Sequence, residues 1–543
     1  MVLFSIVLLL GGAMWLRLKA PFFPYKEQVM GIYIVQDDIL RDKTKKETAE
    51  NPGITFENAM LPYDTVTNTL YLPQSVNDEQ WSGYLSVQIQ SPDKIDYYIC
   101  SPDDEKWFTK TEAIWENHKY TVWLVSESDY YEFQMVVTGT PVMAISTERM
   151  EVPEAPTYEE DPDGLYFGSE PLYYGKVTVI DPDMSENGYT ITEAGICYHK
   201  KGLTSGNFVK KSYSIELKDE NECDVNISLL GMRKDNSWKL NSLYTDSSRI
   251  REITASQIWA SFDVYDVAVN EPGPKMEYVE LVLDDEYQGL YCLVEPVDRK
   301  KLQLGLPDVL YKIIGWEIPD DEDIQDSVNR RWKIRSSIRI RYPKEISDYE
   351  AAWLPMRNYL ELFYRNNESD YYESLTSVDL NNIMDFSFFV MATSASDNSF
   401  KNSYLAAYRT EKGHIIYQIP WDLDYTFGNV YTYADLPVKF DPDVSLIYTN
   451  EVLLRLYNVA PQEIGPQVWE RWNEYRNSFL GYENIENLML ENRDYLLKTG
   501  AAVREIEKWP DVDISMDIDH ILEYQAARLE WLDEYYSEWE NRR

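Results

Sequence analysis

The sequence predicts an α+β chain in which a sheet-rich part precedes a helix-rich part, with a small all-β, sandwich-like domain and a hydrophobic segment ahead of both. Three patterns carry this reading. From Val29 to Ser146, short runs such as GIYIVQ, NTLYLP, GYLSVQIQ, YTVWLVS and YEFQMVV alternate apolar and polar residues at period two between Asp, Asn, Pro and Ser turns. From Lys176 onward KVTVID, TITEAGICY, KSYSIEL, YVELVLD and GLYCLVEPVD continue the strand pattern. After Trp353 the spacing becomes helical over 353–366, 380–395 and the aromatic stretches from Ser445 to the C terminus, with a strand-turn unit at 403–428 between helices.

The chain opens on an uncharged apolar run, Val2 to Leu16, followed by Arg17 and Lys19. The run is shorter than the roughly 20 residues that span a bilayer. It lacks a basic region ahead of it, and Gly11-Gly12-Ala13 is a poor cleavage site. Residues 1–19 therefore read as an uncleaved membrane anchor, with a signal peptide and a buried core segment as alternatives. On the first two readings the protein works extracellularly or at the cell surface. Residues 29–146 form the β-rich accessory domain, a binding or spacer module. The stretch 147–170 is rich in Pro, Asp and Glu without periodicity, which marks a linker. Residues 171–543 form the main domain, sheet-rich to about 345 and helical after. A two-lobed phosphotransferase has this order, and so do other α+β enzymes.

Composition narrows the function. The 51 Lys+Arg against 93 Asp+Glu leave a net charge of −42, which argues against a nucleic-acid partner because phosphates meet no basic field. A 44% hydrophobic content fills a core and argues against disorder. The four cysteines, Cys100, Cys197, Cys223 and Cys292, are dispersed without zinc-ligand spacing and are too few for a disulfide scaffold.

The sharpest chemical signal is Asp397-Asn398-Ser399-Phe400-Lys401-Asn402, between the apolar helix DFSFFVMATSA and the strand YLAAYR. An Asp and an Asn at this spacing match a kinase catalytic loop, in which Asp accepts the hydroxyl proton and Asn holds magnesium. The run Ile415 to Ile419 then ends in Pro420-Trp421-Asp422 and Leu423-Asp424. Magnesium takes one or two carboxylates plus phosphate oxygens and water, so Asp422 with Asn402 suffices and Asp424 offers a second metal ligand. Taken singly, these residues read as helix ends and turns. Flanked by the right helix and strand, they read together as a phosphoryl-transfer site. Cations for phosphate come from HKKGLTSGNFVKKSYSIEL, where Lys200, Lys201, Lys210 and Lys211 surround Gly202, Ser205 and Gly206. The alternative is a solvated basic hairpin. The block GMRKDNSWKLN leads through Asp246 into a helix with Ser247 or Ser248 as N-cap, on which Arg251 steers phosphate or pairs with an acid.

From about Lys176 to Asn541 these motifs, with GLYCLVEPVD, DNSFKN and PWDLDYTFG, resemble the CotH family of atypical secreted protein kinases, named for a spore-coat protein. The resemblance implies a divergent two-lobed protein-kinase-like fold that uses ATP with Mg²⁺ or Mn²⁺ to phosphorylate Ser or Thr hydroxyls on surface or coat proteins. By the same resemblance Asp397 is the catalytic-loop Asp, Asp422 the metal-binding Asp of the PWD motif, and Asn402 the Asn that closes the loop. Lys211, or alternatively Lys210, becomes the phosphate-contacting lysine, and Glu295 and Asp298 of VEPVD lie at the nucleotide edge. Where many relatives have Arg-Gly-Ser, this chain has Lys201-Gly202-Leu203, keeping charge and glycine without the hydroxyl. Two other function classes compete. One is a catalytically weak surface protein that presents residues 29–146 to a wall polymer or another protein, in a structural or adhesive role. The other is a carbohydrate-active protein with paired carboxylates and Trp platforms, for which the sequence offers no separated acid pair at strand ends.

Overall fold

The structure is a computed structural model that describes residues 20–541 apart from 25–32, 35–38, 48–49, 77–89, 92–94, 101–109, 154–169, 183–188, 203–205, 207, 263–272, 317, 320–332, 335–336, 365–374, 432–437 and 449–450. The apolar segment Val2–Leu16 and most of the acidic linker lie outside these residues. Among the described residues no helix is long and apolar enough to cross a membrane. Cys197, Cys223 and Cys292 are free thiols.

The N-terminal region is built on an eight-stranded sheet, with a separate two-stranded hairpin at Thr55–Phe56 and Ala59–Met60. Its central strand Asp129–Thr138 pairs antiparallel with Lys119–Val125 but parallel with Thr44–Lys46 and Thr69–Pro73. A short helix, α1 (Lys110–Trp115), accompanies it. The alternating residues Tyr120, Val122, Phe133, Met135 and Val137 form one buried face. The expected antiparallel sandwich is thus a mixed sheet carrying a helix. Period two fixes which side chains share a face and leaves strand direction and partner open.

A closed barrel follows. Its strands are β1 (Val142–Glu151), β2 (Leu172–Asp181), β3 (Thr190–Lys201), β4 (Ser212–Lys218), β5 (Ser237–Asn241), β6 (Met276–Leu283) and β7 (Glu286–Val294). They run in the order β1-β2-β3-β4-β5-β7-β6, and the parallel pair β1–β6 closes the ring. The sequence reading ends the N-terminal module at 146, but β1 continues to Glu151 and its strand partners are β2 and β6 of the barrel. Met143, Ile145, Val177, Ile215, Trp238, Leu240 and Leu281 fill the interior. Alternation along β4 and β5 therefore turns Ser212, Ser214, Lys239 and Asn241 to the outside.

Beyond helix α2 (Arg251–Ala260), a second sheet of five strands has the order β9-β10-β8-β11-β12. These are β8 (Val309–Ile313), β9 (Lys333–Ile334), β10 (Ile338–Tyr342), β11 (Ser403–Thr410) and β12 (Gly413–Pro420). The sheet joins strands from both sides of the 345 boundary. Around it pack α3 (Tyr349–Tyr364), α4 (Leu380–Thr393), α5 (Glu451–Val459), α6 (Pro461–Arg476), α7 (Tyr482–Lys498), α8 (Ala501–Lys508) and α9 (Asp519–Asn541). Helix α4 is apolar on nearly every face and runs through the core. Asp379 caps its start by accepting from Asn382 N at 2.9 Å, and Arg528 of α9 donates to Met391 O at 2.8 Å near its end. The main core joins Phe386, Phe388 and Phe389 of α4 to Trp353, Trp472 and Trp539, and reaches Leu290, Cys292 and Val294 of the barrel. Trp472 and Trp539 are packing residues and offer no platform for sugars.

Candidate functional site

The catalytic-loop signal and the PWD signal meet in space, and the residue that joins them is Asn398. Helix α4 ends at Ser394 in the left-handed conformation (φ 52°), which turns the chain into the loop. The buried Asn398 side chain then donates to Asn402 O at 2.9 Å and to Trp421 O at 2.8 Å. Trp421 N in turn donates to Asn402 O at 2.9 Å. Asp397 and the end of β12 are thereby locked together. Asp397 Oδ2 accepts from Asn402 Nδ2 at 2.6 Å and from Lys401 Nζ at 2.8 Å. Because Asn402 uses its nitrogen on Asp397, its amide oxygen is left to accept another partner. Asn402 and Asp422 both have positive φ, 52° and 63°, a region that Asn and Asp tolerate better than other side chains.

Four carboxylates converge here, with Asp422 at their centre. Burial pushes Asp397 up to about 6; Lys401 pulls it back and Asp422 adds to the rise. Burial, then Asp422 and Glu252, hold Asp424 well above the usual carboxylate range. Thr245 Oγ1 donates to Asp424 Oδ2 at 2.8 Å, while Asp424 Oδ1 is buried without a hydrogen-bond partner. Burial, then Asp422, push Glu252 of α2 up to about 7. Asn241 links Glu252 to the barrel, since its Nδ2 donates to Glu252 Oε1 at 2.6 Å and its Oδ1 accepts from Lys201 Nζ at 2.6 Å. Facing the acids are Lys201, Lys239, Lys312 and Arg341, whose charges act on one another. The Trp421 ring has Lys201 Nζ at 5.5 Å and Lys312 Nζ at 5.4 Å from its centre. The site therefore lies where the outer wall of the barrel meets one end of the five-stranded sheet, and it interleaves carboxylates with cations.

The residues picked out from the sequence divide into two groups. Asp397, Asn402, Asp422 and Asp424 come together, Lys201 reaches them through Asn241, and Gly202 follows Lys201 with φ 99°. Glu295 and Asp298 brace the barrel rim. Glu295 accepts from Arg233 N at 2.9 Å and Lys301 Nζ at 2.7 Å, and Asp298 accepts from Arg233 Nη2 at 3.1 Å. The charge of Asp298 also acts on Lys239 and Tyr404. The remaining cations are elsewhere. Lys210 is wholly buried, its ammonium paired with Glu505 at 2.7 Å, bonded to Leu290 O and placed over the Tyr291 ring. Its charge is neutralised inside the fold and is closed to a ligand. Lys211 is exposed and donates to Gly206 O at 2.7 Å, a loop contact. Arg251 pairs with buried Asp246 at 2.5 Å. Asp246 also takes the capping role expected of Ser247 or Ser248, accepting from Arg251 N at 2.8 Å, while the N-cap residue itself is Ile250.

Glu252, Asn241, Lys239, Lys312 and Thr245 carry no role in the sequence reading. One of them had a local signal, because Lys312 is the single charge in the apolar strand VLYKII and a lysine among core residues needs a reason. Among the described residues no three His, Cys, Asp or Glu side chains form a ready-made metal cage. The donor set of Asp422, the Asn402 amide oxygen and the orphaned Asp424 Oδ1 nevertheless fits magnesium, which keeps waters and phosphate oxygens in its shell.

Fold and site together define an α+β protein with a buried acid cluster set against a cluster of cations. A family profile described as CotH kinase protein matches residues 199–532, more than half of the 543-residue chain, and the chain belongs to that family. A comparison with curated proteins gave no match.

Proposed function

We propose that the protein transfers the γ-phosphoryl group of ATP to Ser or Thr hydroxyls of extracellular, surface or coat proteins, with barrel and helical region acting as the two lobes of a divergent kinase-like domain. The observation that carries this reading is the Asn398 lock, which sets the Asp397–Asn402 hydrogen bond beside Asp422. In the transfer, the acceptor oxygen bonds to the γ-phosphorus as the bond to the β–γ bridging oxygen breaks. ADP leaves, and Asp397 takes the hydroxyl proton. Its partly desolvated carboxylate suits it to orient that hydroxyl, and Lys401 and Asn402 fix its rotamer. Asp422 and Asn402 would hold Mg²⁺ or Mn²⁺, with Asp424 for a second ion, and a bound ion would supply charge neutralisation on the phosphate oxygens. The same reading gives residues 1–19 to membrane attachment or export and the N-terminal sheet to a wall or surface ligand.

Product analysis tests this proposal. Incubation of the full chain with Mg·ATP and a Ser/Thr-rich acceptor is expected to yield ADP and phospho-Ser or phospho-Thr in equal amounts. Release of AMP with nucleotidyl transfer, or ADP formation indifferent to acceptor, would contradict it.

A further inference from the structure

Lys312 is a half-buried lysine for which the fold supplies no counter-ion contact. It stands on β8 between apolar neighbours, opposite Tyr404 of β11 and Arg339 of β10. Its Nζ lies 5.4 Å from the ring centres of both Tyr404 and Trp421. Among the described residues no hydrogen bond or ion pair satisfies it. Asp422 favours its charge; Lys201, Arg341 and Lys239 oppose it, and with burial they push it down to about 7. Two aromatic faces offset only part of the cost of burying a cation. Lys239, on the facing barrel strand β5, is pushed down to about 8 by burial and then by Lys201 and Arg341, with Ser214 Oγ at 3.0 Å as its hydrogen-bond partner.

Lys312, Lys239 and Lys201 repel one another, and a multiply charged anion bound among them would relieve that repulsion. The carboxylates of Asp422 and Asp424 stand beside these lysines, so an anion that brings a divalent cation with it suits the site. A metal-bound polyphosphate has both properties. We infer that Lys312, together with Lys239 and Lys201, grips the polyphosphate tail of the nucleotide, the role that the sequence assigns to Lys211 or Lys210. This rests on the phosphoryl-transfer reading and names the cations of that same site.

Titration calorimetry of the full chain with Mg·ATP and with Mg·pyrophosphate separates the possibilities, alongside ligand-free melting temperatures. Lys312→Met is expected to weaken both ligands by at least about tenfold and to melt at or above the wild-type temperature, since it removes a half-buried charge without an ion-pair partner. Lys312→Arg is expected to retain part of the affinity. Unchanged affinity in Lys312→Met, or a lowered melting temperature with unchanged affinity, would overturn the assignment and leave a structural lysine. If the wild type binds neither ligand, the phosphoryl-transfer reading falls as well.

Discussion

Asp422→Asn is expected to lower phosphoryl transfer by about 10³-fold while leaving the melting temperature unchanged or higher. Loss of activity alone would fit many buried aspartates, and the direction of the stability change is the discriminating part. The charge of Asp422 raises the proton affinity of the carboxyls of Glu252, Asp424 and Asp397, so in the ligand-free protein it disfavours the ionised form of each. Against this stands the support it gives Lys312. Replacing it with a neutral isostere relieves crowding among these carboxyls, on the order of 1 kcal/mol. Groups placed to meet a charged ligand behave in this way, whereas structural ion pairs do the reverse. Initial rates and calorimetric melting of the same preparation check both halves. A clear drop in melting temperature would make Asp422 a structural residue.

The opposite pattern is expected at Glu505. Glu505→Ala should destabilise the protein by about 3–5 kcal/mol, because it leaves two buried cations unpaired. Glu505 is wholly buried on α8, with Oε1 bonded to Lys210 Nζ at 2.7 Å and Arg249 Nε at 3.0 Å, and Oε2 to Leu290 N at 2.7 Å. The backbone closes on it. Gly289 has φ 85°, and a Cβ there would lie 2.2 Å from Glu505 Oε2. One residue earlier, Arg504 binds Glu280 at 2.7 and 2.8 Å and Thr138 at 2.6 Å, which ties the same helix turn to the N-terminal sheet. Helix α8 is thus where the N-terminal sheet, the barrel and the segment leading to Glu252 are fastened together. Urea titration gives the cost. A change below about 1 kcal/mol would mean that Lys210 and Arg249 find other partners.

These two residues also show how far the sequence was legible. The α+β order, the paired strands β11 and β12, and the DNSFKN and PWD motifs rest on local spacing. Local spacing is visible in one dimension, and the structure returns it. What the spacing left open is pairing over distance. Lys210 and Lys211 lie beside a glycine-containing turn and look alike in sequence, yet Lys210 is claimed by a glutamate 295 residues away. Lys312 and Glu252 reach the cleft only once β8 has paired with β11 and α2 has docked against the barrel. The parallel contacts of Asp129–Thr138 and the closure of β1 on β6 are likewise set by packing, since alternation along a strand is the same for either neighbour.

The central claim is that Asp397, Asn402 and Asp422 form one phosphoryl-transfer site. Its most direct test is transfer of labelled γ-phosphate from Mg·ATP to a Ser/Thr-rich acceptor and to the protein itself, comparing wild type with Asp397→Asn. The account predicts label with the wild type and none above background with the variant, at equal folded content. Equal labelling by both proteins, or none from a wild type that also shows no Mg·ATP-dependent rise in melting temperature, would contradict it.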